Sequence, residues 1–566
     1  MSSLPANVLI LGAGINGCAL ARELVLNDVG VTLVDTADIA SGATAYSSRL
    51  IHGGLRYLEY GEFSLVRESL EERTRLLRLA PQFVRPLQLF IPVENRFGGV
   101  ISSAARFLGL EHWLRPGAAH QPRGAWLVRA GLWFYDTYAR DPSLPRRAVH
   151  RMGHASTPPV NDSKYIALCS YFDAQVRYPE RFTVALVEDA RALAAERGVP
   201  FDVFCYHAAR LDGRQVSIEP VGETVPSAGR SLEPAAIVNA TGAWVDITLR
   251  RLHVQAPTLM GGTKGSHFVT HHAGLAQTLA GWGIYAEAPD GRPVFVLPLG
   301  DAVLVGTTDE PYAGDPADAV CSTRELDYLL ATVNEIFPQF ALTAADIELE
   351  YSGVRPLPAS GDASPASVTR RHWMEEHAGA ALPIYSIIGG KLTTCRSLAE
   401  SSAATILGKL GLPVRSTSRE RPLPGGEADL DHKQRVALAK SLQLPLETVE
   451  RLWSLCGSRV AAIFEAVAES DDADWRTPLS GTWLPQGFAR WVIEHEWVTR
   501  LDDLVERRLM LLYEPQLAEA CLRELAGLLV AAGKLSADAI DDEVNRTIAR
   551  LAEHFDKRVL AQSSAT

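Results

Sequence analysis

The chain has 566 residues, of which 47 % are hydrophobic and 22 % are charged, and its formal net charge is −12. This length predicts about two to four domains, and the composition is typical of a soluble globular protein. The acidic balance argues against nucleic acid as a partner, because phosphate backbones are bound by concentrated basic faces.

The first predicted elements form a strand–turn–helix–strand unit. Residues 8–11 (VLIL) are a short apolar strand, and residues 12–17 (GAGING) follow it with GxGxxG spacing. A helical run occupies residues 18–26, and a second strand at residues 31–34 ends at Asp35. This order of elements is the context in which a GxGxxG sequence indicates a dinucleotide site.

Each part of this unit has a role in holding a dinucleotide. Gly12 permits the tight turn, Gly14 lets the backbone approach a pyrophosphate, and Gly17 lets the helix pack on the strand. The N-terminus of the helix offers N–H groups to the phosphates. Asp35 is placed to accept hydrogen bonds from ribose hydroxyls, and its charge would repel a 2′-phosphate.

Later segments favour FAD over NAD as this dinucleotide. A hydroxyl-rich loop at residues 41–48 follows Asp35, and glycines at residues 240–242 (ATG) and 389–391 (GGK) end two further predicted strands. Glycine-rich strand ends from residue 12 to residue 391 indicate a long ligand that extends through the domain.

The middle of the chain predicts an antiparallel sheet, because residues 293–297 and 302–306 have strand-like apolar patterns. Beyond residue 430, Leu, Ala, Glu and Arg recur at helical spacing. The predicted fold class is α/β plus α, with a discontinuous Rossmann-like FAD-binding domain, an inserted antiparallel-sheet substrate domain and a C-terminal helical domain. The expected bounds are 1–90, 150–250 and 350–415 for the FAD-binding domain, 91–149 and 251–349 for the substrate domain, 416–429 for a linker and 430–566 for the helical domain.

Cysteine usage and hydropathy bear on location. Seven dispersed cysteines without a CxxC pair indicate free thiols in a reducing compartment. No apolar run reaches about 18 residues, so no span of a bilayer is predicted. We expect a cytoplasmic protein, with peripheral contact to the inner membrane face left open, and we predict no metal site.

Several short motifs together resemble the FAD-dependent glycerol-3-phosphate dehydrogenases of the D-amino-acid-oxidase-like flavoprotein superfamily. These motifs are residues 50–59 (LIHGGLRYLE), 264–267 (KGSH), 306–309 (GTTD), 352–356 (SGVRP), 389–394 (GGKLTT) and 494–498 (EHEWV). The resemblance implies oxidation of sn-glycerol 3-phosphate to dihydroxyacetone phosphate. It also implies transfer of the electrons to a quinone by an enzyme bound to the inner face of the membrane.

The resemblance also assigns residues to the site. Arg56 with its neighbour Tyr57, Arg355 and Arg370 match substrate positions, and His267 lies nearby. Arginine forks suit a phosphate dianion, and a histidine suits removal of the hydroxyl proton. The predicted cofactor-binding residues are Gly12, Gly14, Asn16, Gly17, Asp35, Ser41, Thr44, Ser47, Ser48, His52, Gly53, Thr241, Gly242, Gly390, Lys391, Leu392 and Thr393.

These assignments have structural alternatives. Arg355 could hold a strand end through an ion pair, and Arg370 could be solvated surface. His267 could be a satisfied buried histidine rather than the base, and Lys391 could extend to the surface.

The chain departs from the family pattern in three places, one of which is the stretch between Met152 and Tyr171, which matches that pattern poorly. Arg49 stands where the family usually has lysine, which changes reach and donor geometry. Residues 94–123 look like extra length, and their amphipathic pattern suits either a membrane contact or a lid.

Other functions on the same fold stay open. These are an oxygen-using glycerol-phosphate oxidase, an amine, amino-acid or hydroxy-acid oxidase, and a flavin- or nucleotide-binding protein without turnover. Homo-oligomerisation is a further expectation.

Overall fold

The computed structural model describes residues 6–95, 124–139, 141, 143–222, 229–359, 371–469 and 475–561. One layer is a six-stranded sheet in which all neighbouring strands are parallel except the first pair. In spatial order its strands are β18 (Trp373–His377), β19 (Ile384–Ile388), β11 (Ala236–Asn239), β1 (Asn7–Leu11), β2 (Gly30–Val34) and β7 (Phe201–Phe204).

This sheet is covered on both faces, which explains the continuous apolar sequence of β1 and β2. The chief helices on one face are α1 (Ile15–Val25), α4 (Pro179–Arg197) and α8 (Cys395–Lys409). A three-stranded sheet of β8 (His207–Asp212), β9 (Gln215–Pro220) and β10 (Arg230–Leu232) packs on the other face. The predicted strand–turn–helix–strand unit is confirmed, with the helix starting three residues earlier than expected.

A second, ten-stranded sheet is mostly antiparallel, and the predicted pair at residues 293–297 and 302–306 is confirmed within it. Its main path runs through β16 (Glu310–Pro311), β12 (Thr263–Thr270), β15 (Ala302–Gly306), β14 (Pro293–Leu299), β13 (Gly283–Glu287), β4 (Val84–Val93), β6 (Ala167–Val176) and β3 (Leu50–Ile51). Two strands lie off this path, β17 (Leu349–Arg355) on β12 and β5 (Ala148–Arg151) on β6. The helices outside the C-terminal part that complete this half are α2 (Phe63–Leu79), α3 (Ala125–Ala139), α6 (Ala273–Leu279) and α7 (Thr323–Ile336). Helix α5 (Val245–Arg251) instead packs on the six-stranded sheet, where Val245 and Leu249 contact Ile388 of β19.

Sheet membership differs from the expected domain bounds in one respect. Strands β3 and β6, most of β4 and β17, and half of β5 fell within the segments expected to build the FAD-binding domain. All five belong to the ten-stranded sheet, in which β17 pairs with β12. The reason is the long antiparallel pairing of β6 with β4. That pairing joins segments far apart in the sequence, so no local pattern announces it.

The C-terminal part of the chain is helical, as predicted. Its helices are α9 (His432–Leu442), α10 (Leu446–Cys456), α11 (Val460–Ala468), α12 (Gln486–His495), α13 (Glu519–Ala531) and α14 (Ile540–Phe555). One apolar core runs without a break from these helices into the ten-stranded sheet. We call residues 430–561 the helical domain below.

The segment expected to be a linker is held against the six-stranded sheet's helices. Ser418 N–H donates to a carboxylate oxygen of Glu23 in α1 at 3.2 Å, and Arg421 pairs with Asp189 in α4 at 2.8 Å. All seven cysteines are free thiols. Within the described parts of the chain, no helix has the length and apolar character needed to cross a bilayer.

Candidate active site

A cavity of about 700 Å³ opens where the parallel strands β1, β2, β11 and β19 end, and strands β12 and β17 of the ten-stranded sheet line its far side. We call it the central cavity. Clefts at the carboxyl ends of parallel strands are the usual ligand sites of α/β folds. Its volume lies in the range of pockets that hold ligands and cofactors.

The glycine turn after β1 leaves no room for side chains. Gly12 has φ +103°, and a Cβ there would lie 2.7 Å from the carbonyl carbon of Ala240. A Cβ on Gly17 would lie 1.9 Å from the carbonyl oxygen of Gly12, so α1 can start this close to β1 only with glycine. Gly14 caps α1 without a side chain, and the Thr44 hydroxyl accepts from Ile15 N–H at 3.1 Å. The helix N-terminus therefore faces the cavity through small residues.

Asp35 marks one end of the cavity. Its carboxylate accepts hydrogen bonds from the N–H groups of Ala13 at 2.6 Å and Ala37 at 2.9 Å. Burial raises the pKa of Asp35, while these two N–H groups act in the opposite direction. The carboxylate is thereby fixed between the glycine turn and the loop after β2, where a ribose hydroxyl can reach it.

The glycines after β19 meet the glycine turn after β1 at the other end. The side-chain amide of Asn16 donates to the carbonyl of Gly389 at 3.4 Å. Lys391 directly follows these two glycines, and its Nζ lies 4.1 Å from the ring centre of Tyr57. His52 N–H donates to the Thr393 hydroxyl at 3.1 Å. Burial, with a contribution from the Lys391 charge, lowers the pKa of His52 to about 3.

His267 lies on β12 and lines the central cavity. Its Nε2 and the Ser48 hydroxyl are 2.9 Å apart, and its ring stacks on Tyr351 with 4.9 Å between centres. Burial, and then the charges of Arg355 and Arg49, hold the pKa of His267 well below its usual value. Among the described residues, nothing bonds to its Nδ1. The ring is therefore neutral, with Nε2 engaged and Nδ1 buried without a hydrogen-bond partner among the described residues.

Arg355 ends β17, next to β12, and also lines the cavity. One of its terminal nitrogens pairs with Asp309 at 2.8 Å, and the other donates to the Thr307 hydroxyl at 2.8 Å and the Thr308 carbonyl at 3.0 Å. The ion pair that was the structural alternative for Arg355 is present. It coexists with a position on the cavity wall, because the side chain keeps about a quarter of its surface exposed.

Comparison with protein families decides what kind of site this is. The model described as "FAD dependent oxidoreductase" matches residues 7–394, and the model of the "C-terminal domain of alpha-glycerophosphate oxidase" matches residues 416–539. The chain belongs to the FAD-dependent oxidoreductase family. FAD is its cofactor, and the crowded glycine turn, the fixed Asp35 and the size of the cavity fit that molecule.

Individual relatives agree with the resemblance seen in the sequence. The glycerol-3-phosphate dehydrogenase of Synechocystis sp. is 34 % identical over 535 residues, which are 89 % of this chain and 88 % of that protein. The D-erythritol 1-phosphate dehydrogenase of Brucella abortus is 30 % identical, with 89 % and 93 % covered. The structure of the Bacillus halodurans glycerol-3-phosphate dehydrogenase complexed with FAD shares the fold, with TM-score 0.69 and 20 % identity over 98 % of this chain and 96 % of that one.

Most of the predicted site residues of this FAD-dependent oxidoreductase do meet at the central cavity. Gly17 and Gly53 do not line it: Gly17 packs α1 on β1, and Gly53 N–H donates to the Tyr135 hydroxyl at 2.8 Å. Arg370, the side chain of Arg56 and most of the extra segment lie outside the described residues. The predicted residues that line the cavity are Gly12, Gly14, Asn16, Asp35, Ser41, Thr44, Ser47, Ser48, His52, Tyr57, Thr241, Gly242, His267, Arg355, Gly390, Lys391, Leu392 and Thr393.

The KGSH motif has a second task away from the cavity. Lys264 Nζ lies 2.7 Å from the carboxylate of Glu325 and 2.7 Å from the carbonyl of Val320. Although burial opposes it, hydrogen bonds from Lys264 and three hydroxyls lower the pKa of Glu325 to about 2. The lysine of this motif therefore anchors β12 to α7.

Arg49, at a position where the resemblance implies lysine, is wholly buried. Its guanidinium bonds both carboxylate oxygens of Glu180, at 2.7 and 3.2 Å, and the carbonyl of Arg177 at 2.6 Å. It also donates to the Tyr513 hydroxyl of the helical domain. Arginine can hold all these acceptors at once, so it joins the Ser47–Ser48 loop to α4 and to the helical domain.

Sequence reasoning missed one wall of the cavity. Residues of the helical domain, more than 460 positions after Asp35, contribute side chains to it; the EHEWV match was the nearest signal in the sequence. These residues are Arg500, Asp502, Arg507, Arg546, Arg550 and His554. Among the described residues, no group of three or more His, Cys, Asp or Glu side chains could hold a metal ion.

Proposed function

We propose that this enzyme oxidises sn-glycerol 3-phosphate at C2 to dihydroxyacetone phosphate and passes the electrons to a quinone. The observation that supports the proposal is that His267, Arg355 and the predicted cofactor-binding glycines line the same cavity. The identity of the substrate in this proposal is inferred from relatives that are named glycerol-3-phosphate dehydrogenases. Bound FAD supplies the acceptor for the hydride that leaves C2.

His267 is the proposed base for the hydroxyl proton. In the tautomer that donates from Nε2 to Ser48, Nδ1 carries a lone pair and accepts the proton. The low pKa of His267 makes this nitrogen a weak base. A phosphate dianion in the cavity raises that pKa, because negative charge nearby favours the imidazolium.

Arg355 is the proposed phosphate ligand within the described residues. Its guanidinium is aimed by Asp309 and Thr307, so little side-chain freedom remains to be lost on binding. Arg56, Tyr57 and Arg370 join it by resemblance only. Lys391 is proposed to stabilise negative charge that develops on the flavin, because a fixed cation there needs no reorganisation.

Steady-state turnover with a quinone analogue tests the reaction. We expect formation of dihydroxyacetone phosphate from sn-glycerol 3-phosphate and no turnover with the enantiomer or with glycerol. Activity with amino acids instead would overturn the proposal. Stoichiometric hydrogen peroxide and indifference to quinones would identify the oxygen-using oxidase.

A longer polyol phosphate is the second candidate substrate. It is favoured by the D-erythritol 1-phosphate dehydrogenase relative, which aligns over 93 % of its own length. The ratio of kcat/KM for D-erythritol 1-phosphate and sn-glycerol 3-phosphate separates the two candidates. A ratio below one supports the glycerol phosphate.

We further propose peripheral contact with the inner membrane face, where a quinone is available. Helix α3 follows the extra segment and exposes Trp126 by 57 %, Trp133 by 52 % and Phe134 by 45 %. Aromatic side chains of this kind partition into membrane interfaces.

Sedimentation with anionic phospholipid vesicles tests this contact. The double variant Trp126→Ser/Trp133→Ser should lose vesicle binding, while Trp373→Ser, at an exposed tryptophan of β18, should keep it. Equal binding by all three proteins would remove α3 as the contact. Static light scattering of the holoprotein measures the expected self-association.

A further inference from the structure

The helical domain completes the central cavity. Six of its residues stand in the cavity wall, and the rest of the wall comes from the two sheets and their loops. The helical domain therefore closes part of the cavity that fits FAD. This concerns the family's cofactor and does not depend on the proposed substrate.

The helical domain meets the end of the cavity marked by Asp35. The turn between β7 and β8 lies beside the loop after β2, since Tyr206 N–H donates to the Ala37 carbonyl at 3.0 Å and His207 N–H to the Asp35 carbonyl at 2.8 Å. The guanidinium of Arg500 lies 4.1 Å from the ring centre of Tyr206. In dinucleotide sites, the carboxylate after the second strand binds the ribose of the adenosine half. Arg500 consequently lies at the end of the central cavity where the ADP half of FAD is expected, and not where the reacting ring is expected.

A buried ion cluster fastens the helical domain at the same place. Asp38, three residues after Asp35, accepts from Arg507 Nε at 2.6 Å and from the two terminal nitrogens of Arg508 at 2.7 and 2.9 Å. The Tyr206 hydroxyl donates to Asp503 of the helical domain. Removing one partner of such a buried pair leaves an uncompensated charge. The ion cluster thus fixes the helical domain to the loop after β2, which begins at Asp35.

We propose that the helical domain forms the wall that closes the central cavity at the end where the adenosine half of FAD binds. Arg500 contacts the ADP half, and Arg508 holds this wall in place through its ion pair with Asp38. FAD then leaves only when this wall moves, and bound FAD in turn holds the helical domain in its docked position. Arg508 itself does not line the cavity, so it is a positioning residue.

FAD and FMN affinities of the full-length apoprotein test the role of Arg500. Arg500→Ala should weaken FAD binding about tenfold or more, the loss expected for about 1.4 kcal/mol. It should leave FMN binding unchanged, because FMN lacks the adenosine half. Arg191→Ala is the matched control, since Arg191 lies 4.5 Å over the Trp497 ring but away from the cavity. Unchanged FAD affinity, or an equal loss for FMN and FAD, would overturn the assignment of Arg500.

The rate of FAD release from the holoprotein, followed by flavin fluorescence, tests the wall. Arg508→Ala should release FAD about tenfold faster or more. Arg459→Ala should not, although it breaks an ion pair with Glu188 that also joins the helical domain to α4. Equal release rates for the two variants would contradict the role of Arg508.

Hydrogen exchange of the wild-type chain keeps the proposal testable if a variant fails to fold. Amides at residues 500–508 and 546–554 should be slower to exchange in the FAD form than in the apoprotein or with FMN. Exchange that is identical in the three states would overturn the closing wall. Failure of glycerol-phosphate turnover would leave these three measurements unaffected, so the two proposals fail separately.

Discussion

Replacing Arg355 by alanine distinguishes a substrate ligand from a structural ion pair. The substitution removes a cation from the cavity wall and leaves the carboxylate of Asp309 without its partner at 2.8 Å. Both changes disfavour a dianionic substrate. The same substitution also removes the bonds to Thr307 and the Thr308 carbonyl, so some loss of stability accompanies any kinetic effect.

The expected magnitude follows from these contacts. A lost hydrogen bond between an arginine and a phosphate is worth about 3 kcal/mol, which corresponds to an increase in KM of about 10²-fold. Repulsion by the unpaired Asp309 adds to this increase. The double variant Arg355→Ala/Asp309→Asn removes the repulsion and should therefore recover part of the affinity.

Steady-state kinetics and thermal unfolding of the same preparations form the assay. Arg230→Ala is the control, because its pair with Asp202 at 2.6 Å is of the same type but lies on the surface away from the cavity. It should leave KM unchanged. An Arg355→Ala enzyme with unchanged KM and a lowered Tm would show that Arg355 serves only as an ion pair.

Three further substitutions test the surroundings of the site. Gly306→Ala puts a Cβ 2.1 Å from Cδ2 of His267, so the ring must move and kcat should fall about 10²-fold; Gly527→Ala, which meets no atom within 4 Å, should change nothing. The native state keeps His52 neutral down to a pKa of about 3, whereas the unfolded chain protonates it near pH 6.5, so stability falls as pH drops from about 6.5 toward 3. Between pH 7.5 and 5.5, the free energy of unfolding measured by chemical denaturation should therefore fall by about 1.4 kcal/mol less for His52→Asn than for the wild type. An equal fall in the two proteins would contradict a neutral imidazole in the native state. Arg49→Lys, which introduces the residue that the resemblance implies at this position, cannot satisfy every acceptor and should lower Tm and raise the rate of FAD release; unchanged values would show that the extra donors are dispensable.

The strand–turn–helix–strand unit beside the cavity could be predicted from the sequence, because all of its parts lie close together in the chain. The glycines of residues 12–17 and Asp35 sit within one strand–turn–helix–strand unit, and the order and spacing of that unit predict the tight turn and the position of Asp35 beside it. The pair at residues 293–297 and 302–306 was readable for the same reason, since the two strands are neighbours in the chain.

The parts that sequence reasoning missed depend on contacts between distant segments. The GTTD and SGVRP motifs are both visible in the sequence, but the pairing of Asp309 with Arg355 follows from their positions around β12 in the folded sheet. Arg500 has no motif of its own. It lines the central cavity because the helical domain shares a core with the ten-stranded sheet. The periodicity of a helical segment does not indicate which distant surface that segment will cover.

Anaerobic stopped-flow mixing of the holoenzyme with sn-glycerol 3-phosphate tests the central claim most directly. The wild-type enzyme should lose its oxidised-flavin absorbance within one turnover. His267→Ala should bind the substrate but lose that absorbance more slowly than the wild type. The rate should be lower by about 10²-fold or more, which is the usual contribution of a general base. Equal rates in the two proteins, or no loss of absorbance in the wild type, would contradict the account.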